Sequence, residues 1–167
     1  LLLLQRGYVD IGFMGGAQID QYGNLNSSFI GDADDPTIRL PGTGGGNDIA
    51  SLTRLIVAMI HEKRRFVETV DFVTSTGFLH GGSSRVEAGL ITGGPAKVVT
   101  DLAILGFDEV TKRMKVQALH AGVSAEQVRE STAFELLFDS DIKITEPPTD
   151  GELAVLREFD PERLYIA

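Results

Sequence analysis

The chain has 167 residues, of which 43% are hydrophobic and 23% charged, with a net charge of −9; this composition is typical of a globular domain and argues against general affinity for nucleic acid or an anionic membrane. It has no cysteine, which excludes disulfides, a thiol nucleophile and thiolate metal sites and is compatible with the cytoplasm. No window approaches the roughly 20 apolar residues that cross a bilayer, so we expect no membrane partner.

The first thirty residues predict short strands between glycine turns. Residues 1–6, which include four leucines and no initiator methionine, are typical of the last turns of a helix whose beginning is absent. We therefore interpret residues 1–167 as a single domain that lacks its N-terminal portion. Residues 8–14 predict a strand, and residues 17–20 and 25–30 predict two short strands around a turn.

Residues 41–48, Pro-Gly-Thr-Gly-Gly-Gly-Asn-Asp, are the most informative stretch because they are rich in glycine and open into a helix. Free N–H groups at a helix start suit an anion or a developing oxyanion, whereas the alternative is a tight turn between packed elements. Asn47 is the predicted N-cap. The apolar run 55–60 predicts a strand buried on both sides, which completes a βαβ unit with the loop at a strand–helix junction.

The second half of the chain alternates strands, helices and one long irregular segment. Two capping boxes mark helix starts, at Ser124 with Gln127 and at Thr149 with Glu152. The predicted elements are a helix at 66–70, a strand at 71–74, an irregular segment at 76–95, strands at 97–107 and 114–120, a helix at 124–132, a strand at 134–138 and a last helix that closes at Asp160.

Some polar residues outside the glycine loop are candidates for chemistry, and each also has a structural interpretation. His61, His80 and His120 lack metal-binding spacing, so we expect no metal site; structural hydrogen bonds are the favoured interpretation, and His80, in the glycine-rich segment, is the best of the three for a ligand contact. Residues 61–65, His-Glu-Lys-Arg-Arg, are either a solvated connection or a phosphate contact for a nucleotide-bearing cofactor. Arg39 either holds a substrate carboxylate or phosphate or pairs with nearby aspartates.

Common nucleotide-binding and nucleophile motifs do not occur in the chain. It has no G-x-S-x-G elbow, no G-x-G-x-x-G dinucleotide fingerprint and no Walker-type G-K-[ST]. These absences leave the glycine loop without an assignment from general motifs.

Two long motifs in order, residues 15–26 and 39–48, closely resemble the β subunits of family I CoA-transferases, among them glutaconate CoA-transferase. The likeness continues through residues 61–67, 98–102 and 147–149. The resemblance implies an open α/β sheet with short helices on its faces and a β-hairpin segment. It also implies a homologous α subunit in a hetero-oligomer, an acyl-CoA and a carboxylic acid as substrates, and no permanently bound cofactor.

The resemblance also implies roles for individual residues of the loop and its surroundings. In the family a glutamate attacks the acyl-CoA, and the glycine loop donates main-chain N–H groups to the oxyanion; Gly44 and Gly45 take that catalytic role here. Asn24 has a turn residue as its alternative interpretation. The candidate substrate-binding residues are Gln18, Asn24, Asn26, Arg39, Gly42, Thr43, Gly46 and Asn47.

The family glutamate lies in an E-[NS]-G motif, and no glutamate of this chain is followed by Asn-Gly or Ser-Gly. Glu62, Glu68 and Glu87 all precede other residues. Either a missing N-terminal segment carries the nucleophile or the protein lacks it, as the β chain of the related steroid-ring-opening hydrolase does, whose acidic residue lies on the α subunit. A third possibility is a non-catalytic ligand-binding module on the same scaffold.

Overall fold

The computed structural model describes residues 1–164, in which a six-stranded sheet is accompanied by two short hairpins and five helices. The strands are β1 (Ile11–Met14), β2 (Gln18–Ile19), β3 (Leu25–Asn26), β4 (Phe29–Gly31), β5 (Pro36–Arg39), β6 (Arg54–Ala58), β7 (Gly94–Val99), β8 (Ala103–Phe107), β9 (Met114–Leu119) and β10 (Leu137–Ile144). The helices are α1 (Leu2–Gln5), α2 (Gly46–Leu52), α3 (Ser84–Glu87), α4 (Ala125–Glu130) and α5 (Asp150–Phe159).

The sheet has the strand order β1-β6-β7-β8-β9-β10. Strand β6 is parallel to both β1 and β7, the β7–β8–β9 meander is antiparallel, and β10 returns parallel to β9. The two hairpins β2–β3 and β4–β5 are inserted between β1 and α2. The predicted open α/β sheet, its β-hairpin segment and the βαβ unit β1–α2–β6 are therefore confirmed.

Helices α2 and α4 contribute to a core on one face of this sheet. Leu55 and Val57 of β6 are fully buried against Ala50 of α2, and Val128 of α4 belongs to the same core. The other face of β6 is only partly covered, since Arg54 and Ala58 are exposed and Ile56 is half-buried. The prediction that this strand is buried on both sides is wrong, because its side chains alternate between core and surface.

Two predicted elements are absent from residues 66–74, where the backbone supports the hairpin β2–β3 instead. Phe66 is fully buried and forms a bridge with Ile19, since the Ile19 amide donates to the Arg65 carbonyl (2.7 Å) and the Val67 amide to the Ile19 carbonyl (3.0 Å). Ser75 pairs with Leu25 on the other side of the hairpin. The helix expected at 66–70 and the strand expected at 71–74 are therefore wrong.

Three other predicted strands have different bounds. The Thr100 hydroxyl accepts hydrogen bonds from the Leu102 and Ala103 amides, which turns the chain and divides the predicted strand 97–107 into β7 and β8. The predicted strand 25–30 is likewise two strands, β3 and β4, and β10 extends well beyond the predicted 134–138. Strand β5 was not predicted at all.

Both predicted capping boxes are present. The Ser124 hydroxyl accepts from the Gln127 amide (3.2 Å), and the Gln127 side chain accepts from the Ser124 amide (2.8 Å). Thr149 and Glu152 make the same reciprocal pair at the start of α5. No helix within residues 1–164 is long and apolar enough to cross a membrane.

Candidate active site

The glycine loop, residues 41–45, connects β5 to α2 and lies on the open surface. Gly42 and Gly44 have φ values of +87° and +49°, a region that favours glycine. A Cβ at Gly42, Gly44 or Gly45 would meet no atom within 4 Å. Close packing therefore does not explain why the loop is rich in glycine. This favours the ligand-facing interpretation over the tight turn.

Three consecutive amides of this loop, those of Thr43, Gly44 and Gly45, donate to no atom of residues 1–164. Their neighbours are engaged, since the Gly42 amide donates to the Ser27 carbonyl (2.8 Å) and the Gly46 amide to the Thr43 carbonyl (2.6 Å). The fixed neighbours hold the free donors in place, as a site for a developing negative charge requires.

Helix α2 begins two residues earlier than predicted. Its N-cap is Gly45, and the Asn47 amide is satisfied by the Thr43 hydroxyl at 3.0 Å. The prediction of Asn47 as N-cap is thus wrong, because the tight 42–46 turn already places that residue inside the helix. The Asn47 side-chain oxygen instead accepts from the amide and hydroxyl of Thr76, at 3.3 and 3.4 Å.

The loop lies at the carboxyl ends of two parallel strands. A Cβ on Gly46 would come within 2.8 Å of the Met14 Cε at the end of β1, and one on Gly15 within 3.3 Å of the Ala58 carbonyl at the end of β6. Open α/β sheets bind ligands beyond the carboxyl ends of their strands. The position of the loop therefore agrees with a binding role.

Ser27 anchors the first glycine of the loop from the β-hairpin segment. Besides accepting the Gly42 amide through its carbonyl, it donates its hydroxyl to the Gly42 carbonyl (3.1 Å). The Ser27 amide donates to the hydroxyl of Thr74 (2.9 Å), and that hydroxyl also lies 3.4 Å from the Asn26 side-chain oxygen. The loop is thus connected to buried polar groups beneath it.

Gln18 and Asn26 belong to these buried groups. The Gln18 side-chain oxygen accepts from the Asn26 side-chain amide (2.8 Å) and from the Asp71 main-chain amide (3.0 Å), while its own amide donates to the Asp71 carboxylate (3.0 Å). Asn26 also donates to the Phe29 carbonyl and accepts from the Ser28 amide. These contacts give both residues a supporting position under the loop; contact with a substrate stays a prediction.

Asn24 is separately placed in a turn, together with Asp20. Its side-chain amide donates to the Asp20 carboxylate and to the Leu79 carbonyl, both at 2.8 Å, and its oxygen accepts from the Gly77 amide (2.9 Å). Burial raises the pKa of Asp20, and the hydrogen bonds from Asn24 oppose that rise. Asn24 thus closes the turn through Asp20 and also holds residues 77–79 against it, and its role in substrate binding stays a prediction.

Arg39 ends β5 just before the loop, and its side chain is exposed. Within the part of the chain that the structure describes, no carboxylate pairs with it, so the predicted ion pair with nearby aspartates is not formed. Its guanidinium therefore remains available beside the loop.

Arg85, which the sequence did not single out, fixes the other end of α2. It is buried, and its two terminal nitrogens donate to five carbonyls, of which those of Ala50 and Ser51 belong to the last turn of α2. Burial lowers the pKa of this guanidinium. A cation there complements the negative end of the helix. Only the fold brings residue 85 to this helix, so no local pattern could have revealed it.

Two of the three histidines make the structural hydrogen bonds that were expected. His61 is buried, stacks on Phe66 at 3.9 Å between ring centroids, and contacts the hydroxyls of Thr100 and Thr132. Desolvation lowers its pKa to about 4, although the Asp101 carboxylate acts in the opposite direction.

His120 contacts the Thr145 hydroxyl and the Thr100 carbonyl, both at 2.8 Å. His80 is exposed in the long irregular segment, where its main-chain amide donates to the Ser84 hydroxyl. None of these contacts requires a ligand.

Residues 2–131 match the family model described as Coenzyme A transferase. The chain is 44% identical over 157 residues to the β subunit of glutaconate CoA-transferase from Acidaminococcus fermentans, a match that covers 93% of this chain and 59% of that protein. The crystal structure of that organism's glutaconate coenzyme A-transferase superposes with a TM-score of 0.88, at 45% identity, over 94% of this chain and 61% of that one.

Two further relatives carry different names. The β subunit of 3-oxoadipate CoA-transferase from Pseudomonas knackmussii is 39% identical over 158 residues, covering 94% of this chain and 61% of its own length. The cholesterol ring-cleaving hydrolase IpdB subunit of Rhodococcus jostii is 34% identical over 161 residues, covering 90% and 60%. The chain thus spans about three fifths of the length of the curated relatives it matches.

Proposed function

Because this chain belongs to the coenzyme A transferase family, we propose that it is the β subunit of an enzyme that moves CoA between an acyl-CoA and a short carboxylic or dicarboxylic acid. The observation that carries the proposal is the row of three unengaged amides at Thr43, Gly44 and Gly45. Its two relatives at 39% and 44% identity are both named as subunits of CoA-transferases. The cytoplasm remains the predicted compartment.

In this proposal the amides of Gly44 and Gly45 receive the thioester oxygen as it becomes negative. A carboxylate attacks the thioester carbonyl, and the resulting tetrahedral oxyanion expels the CoA thiolate to leave a mixed anhydride. Each preorganised donor of this kind is worth roughly 3 kcal/mol of barrier. Thr43, Gly42 and Gly46 supply the hydrogen bonds that keep those donors fixed.

The attacking glutamate and the other wall of the site lie outside the 167 residues in this proposal. The exposed position of Gly44 and Gly45 suits a cleft completed by a homologous α subunit. Arg39, unpaired and beside the loop, is placed to hold a carboxylate of the acid substrate, because its planar fork matches that group.

The second candidate function is ring opening of a cyclic CoA thioester by hydrolysis. It is supported by the 34% identity to the IpdB subunit and by the lack of an E-[NS]-G glutamate in the chain. The transferase is favoured because the transferase subunits have the higher identities. A non-catalytic binding module is the third candidate, and it predicts binding without turnover.

The test is an assay of the full gene product co-expressed with its partner subunit. Acetyl-CoA or succinyl-CoA serves as donor, and glutaconate or 3-oxoadipate as acceptor. Transfer of CoA onto an acid, with a glutamyl-CoA thioester trapped by borohydride, supports the transferase. Hydrolysis without transfer supports the second candidate, and CoA binding with neither reaction supports the third.

A further inference from the structure

A compact basic turn lies at the same edge of the sheet as the glycine loop. It follows the carboxyl end of β6 and contains Lys63, Arg64 and Arg65, closed by the hydrogen bond from the Arg65 amide to the Glu62 carbonyl (2.8 Å). With three cations and one carboxylate, this four-residue turn has a net charge of +2 in a chain whose total is −9.

The cations of this turn retain free hydrogen-bonding capacity. Glu62 accepts from the Nε atoms of Arg64 (2.7 Å) and Arg65 (3.1 Å), and these bonds lower the pKa of Glu62. The terminal nitrogens of Arg64, a side chain 75% exposed, donate to no atom of residues 1–164, and neither does the exposed Lys63 ammonium. Lys63 and Arg64 are therefore two adjacent, accessible cations of the turn.

Gly16 lies between the basic turn and the segment that anchors the glycine loop. The Arg65 guanidinium reaches the Gly16 carbonyl at 3.5 Å. A Cβ on Gly16 would lie 3.5 Å from the Asn26 carbonyl, and Asn26 precedes Ser27, which anchors Gly42. The basic turn and the loop are thus linked through a short series of contacting residues.

The net negative charge of the chain means that a polyanion can bind only where cations are locally in excess. A protein with nine surplus negative charges repels a polyanion such as CoA unless it offers a local positive site. Elsewhere, Arg113, Lys115 and Arg129 are paired with carboxylates, and Arg85 is buried under carbonyls. Arg54 lies at the amino end of β6, away from the loop, and Arg39, exposed beside the loop, is the cation proposed above for the acid substrate.

We propose that Lys63 and Arg64, supported by Arg65, bind the phosphate groups of the nucleotide end of CoA while the glycine loop holds its thioester end. The identity of the ligand rests on the proposed function. Phosphate suits these groups because arginine offers a planar pair of donors and lysine a compact charge.

The test uses the full-length protein assembled with its partner subunit and compares the double variant K63A/R64A with R54A, an exposed cation at the opposite end of the same strand. We expect K63A/R64A to raise KM for the acyl-CoA by about 10- to 100-fold, since it removes two charge-assisted contacts and each is worth about a factor of ten, and to leave kcat unchanged. R54A should match the unmodified enzyme. An acyl-pantetheine substrate, which lacks the nucleotide, should show no difference between the variants.

Titration calorimetry with CoA and with 3′-dephospho-CoA gives a readout that needs no turnover. The site is supported if CoA binds more tightly than 3′-dephospho-CoA, and if this difference is lost in K63A/R64A and weakened by salt. If that result is obtained but no acid accepts CoA, the transferase assignment alone fails. An unchanged CoA affinity in K63A/R64A, an equal loss with acyl-pantetheine, or failure of that variant to assemble with the partner subunit overturns the proposal.

Discussion

Gly45 allows one amide of the loop to be removed by a single substitution, although proline prefers a φ of about −65° and requires a local adjustment there. Its φ of −93° is accessible to other residues, and a Cβ would meet nothing within 4 Å. We expect Gly45→Pro, which deletes the N–H, to lower kcat by about 100- to 1,000-fold, whereas Gly45→Ala keeps the donor and should cost far less. Steady-state kinetics of both variants check this, and equal losses would mean that the position acts through shape rather than through its amide.

His61 makes folding stability depend on pH. Its pKa falls from an ordinary 6.5 to about 4 in the folded protein because of burial, so between these values the unfolded chain takes up a proton that the folded chain does not. Stability therefore decreases as the pH falls from 6.5 towards 4, by up to roughly 3 kcal/mol in total.

Urea unfolding between pH 7 and 4 measures this contribution. His61→Gln should show a shallower loss of stability than the unmodified chain, and His80→Gln, in which the residue changed is exposed, should follow the unmodified chain. Parallel curves for His61→Gln and the unmodified chain would show that this histidine does not titrate as its burial implies.

At the level of single residues, the sequence indicated the chemistry of the loop but not what holds it. Successive glycines before a helix are a local pattern that left a ligand-facing loop and a tight turn open, and the family resemblance singled out Gly44 and Gly45. The supporting contacts join residues far apart in the chain, such as Ser27 with Thr74 and Arg85 with Ala50. Gln18 and Asn26 were singled out through a resemblance, and only the fold shows their hydrogen bonds to each other.

At the level of elements, the link between the β-hairpin segment and the glycine loop is testable at Ser27. Ser27→Ala removes the hydroxyl bond to the Gly42 carbonyl, and the net cost to stability should be about 1 kcal/mol. The loop would lose one of its restraints, so we expect kcat to fall about tenfold with KM for the acyl-CoA unchanged. Ser27→Thr, which retains a hydroxyl, should restore much of the rate.

Thermal unfolding of the same variants separates the two effects. A fall in kcat that simply follows a loss of folded protein, or a Ser27→Thr variant no better than Ser27→Ala, would contradict a positioning role. The expected result is a small change in Tm beside a clear change in rate.

Elements with a local signal were predicted well, and those defined by distant partners were not. Both capping boxes specify their helix starts through contacts within four residues. Residues 66–74 carry no such signal. Their course depends on the pairing of Phe66 with Ile19 and of Ser75 with Leu25, which lie far away in the chain. The sequence placed strand β6 correctly. Its continuous apolar run did not show that one face is largely uncovered, because that depends on where the helices lie.

On the scale of the whole molecule, strand β1 is an edge of the six-stranded sheet and carries exposed apolar side chains. Phe13 is 71% exposed, and Ile11 and Tyr8 are also exposed large hydrophobics. An apolar edge strand with unpaired backbone groups is a template for pairing with another chain. Within residues 1–164 no strand lies beyond β1, so the 167-residue chain on its own should self-associate through this edge.

Replacing Phe13 by lysine should suppress that association, because a charge on an edge strand disfavours pairing and desolvation. Ile91→Lys is the matched control, since Ile91 is 79% exposed but lies outside any strand. Sedimentation velocity over a concentration series should show Phe13→Lys as the smaller species and Ile91→Lys as the unmodified chain. If both variants reduce association equally, general surface hydrophobicity is responsible; if Phe13→Lys has no effect, the β1 edge is not the contact.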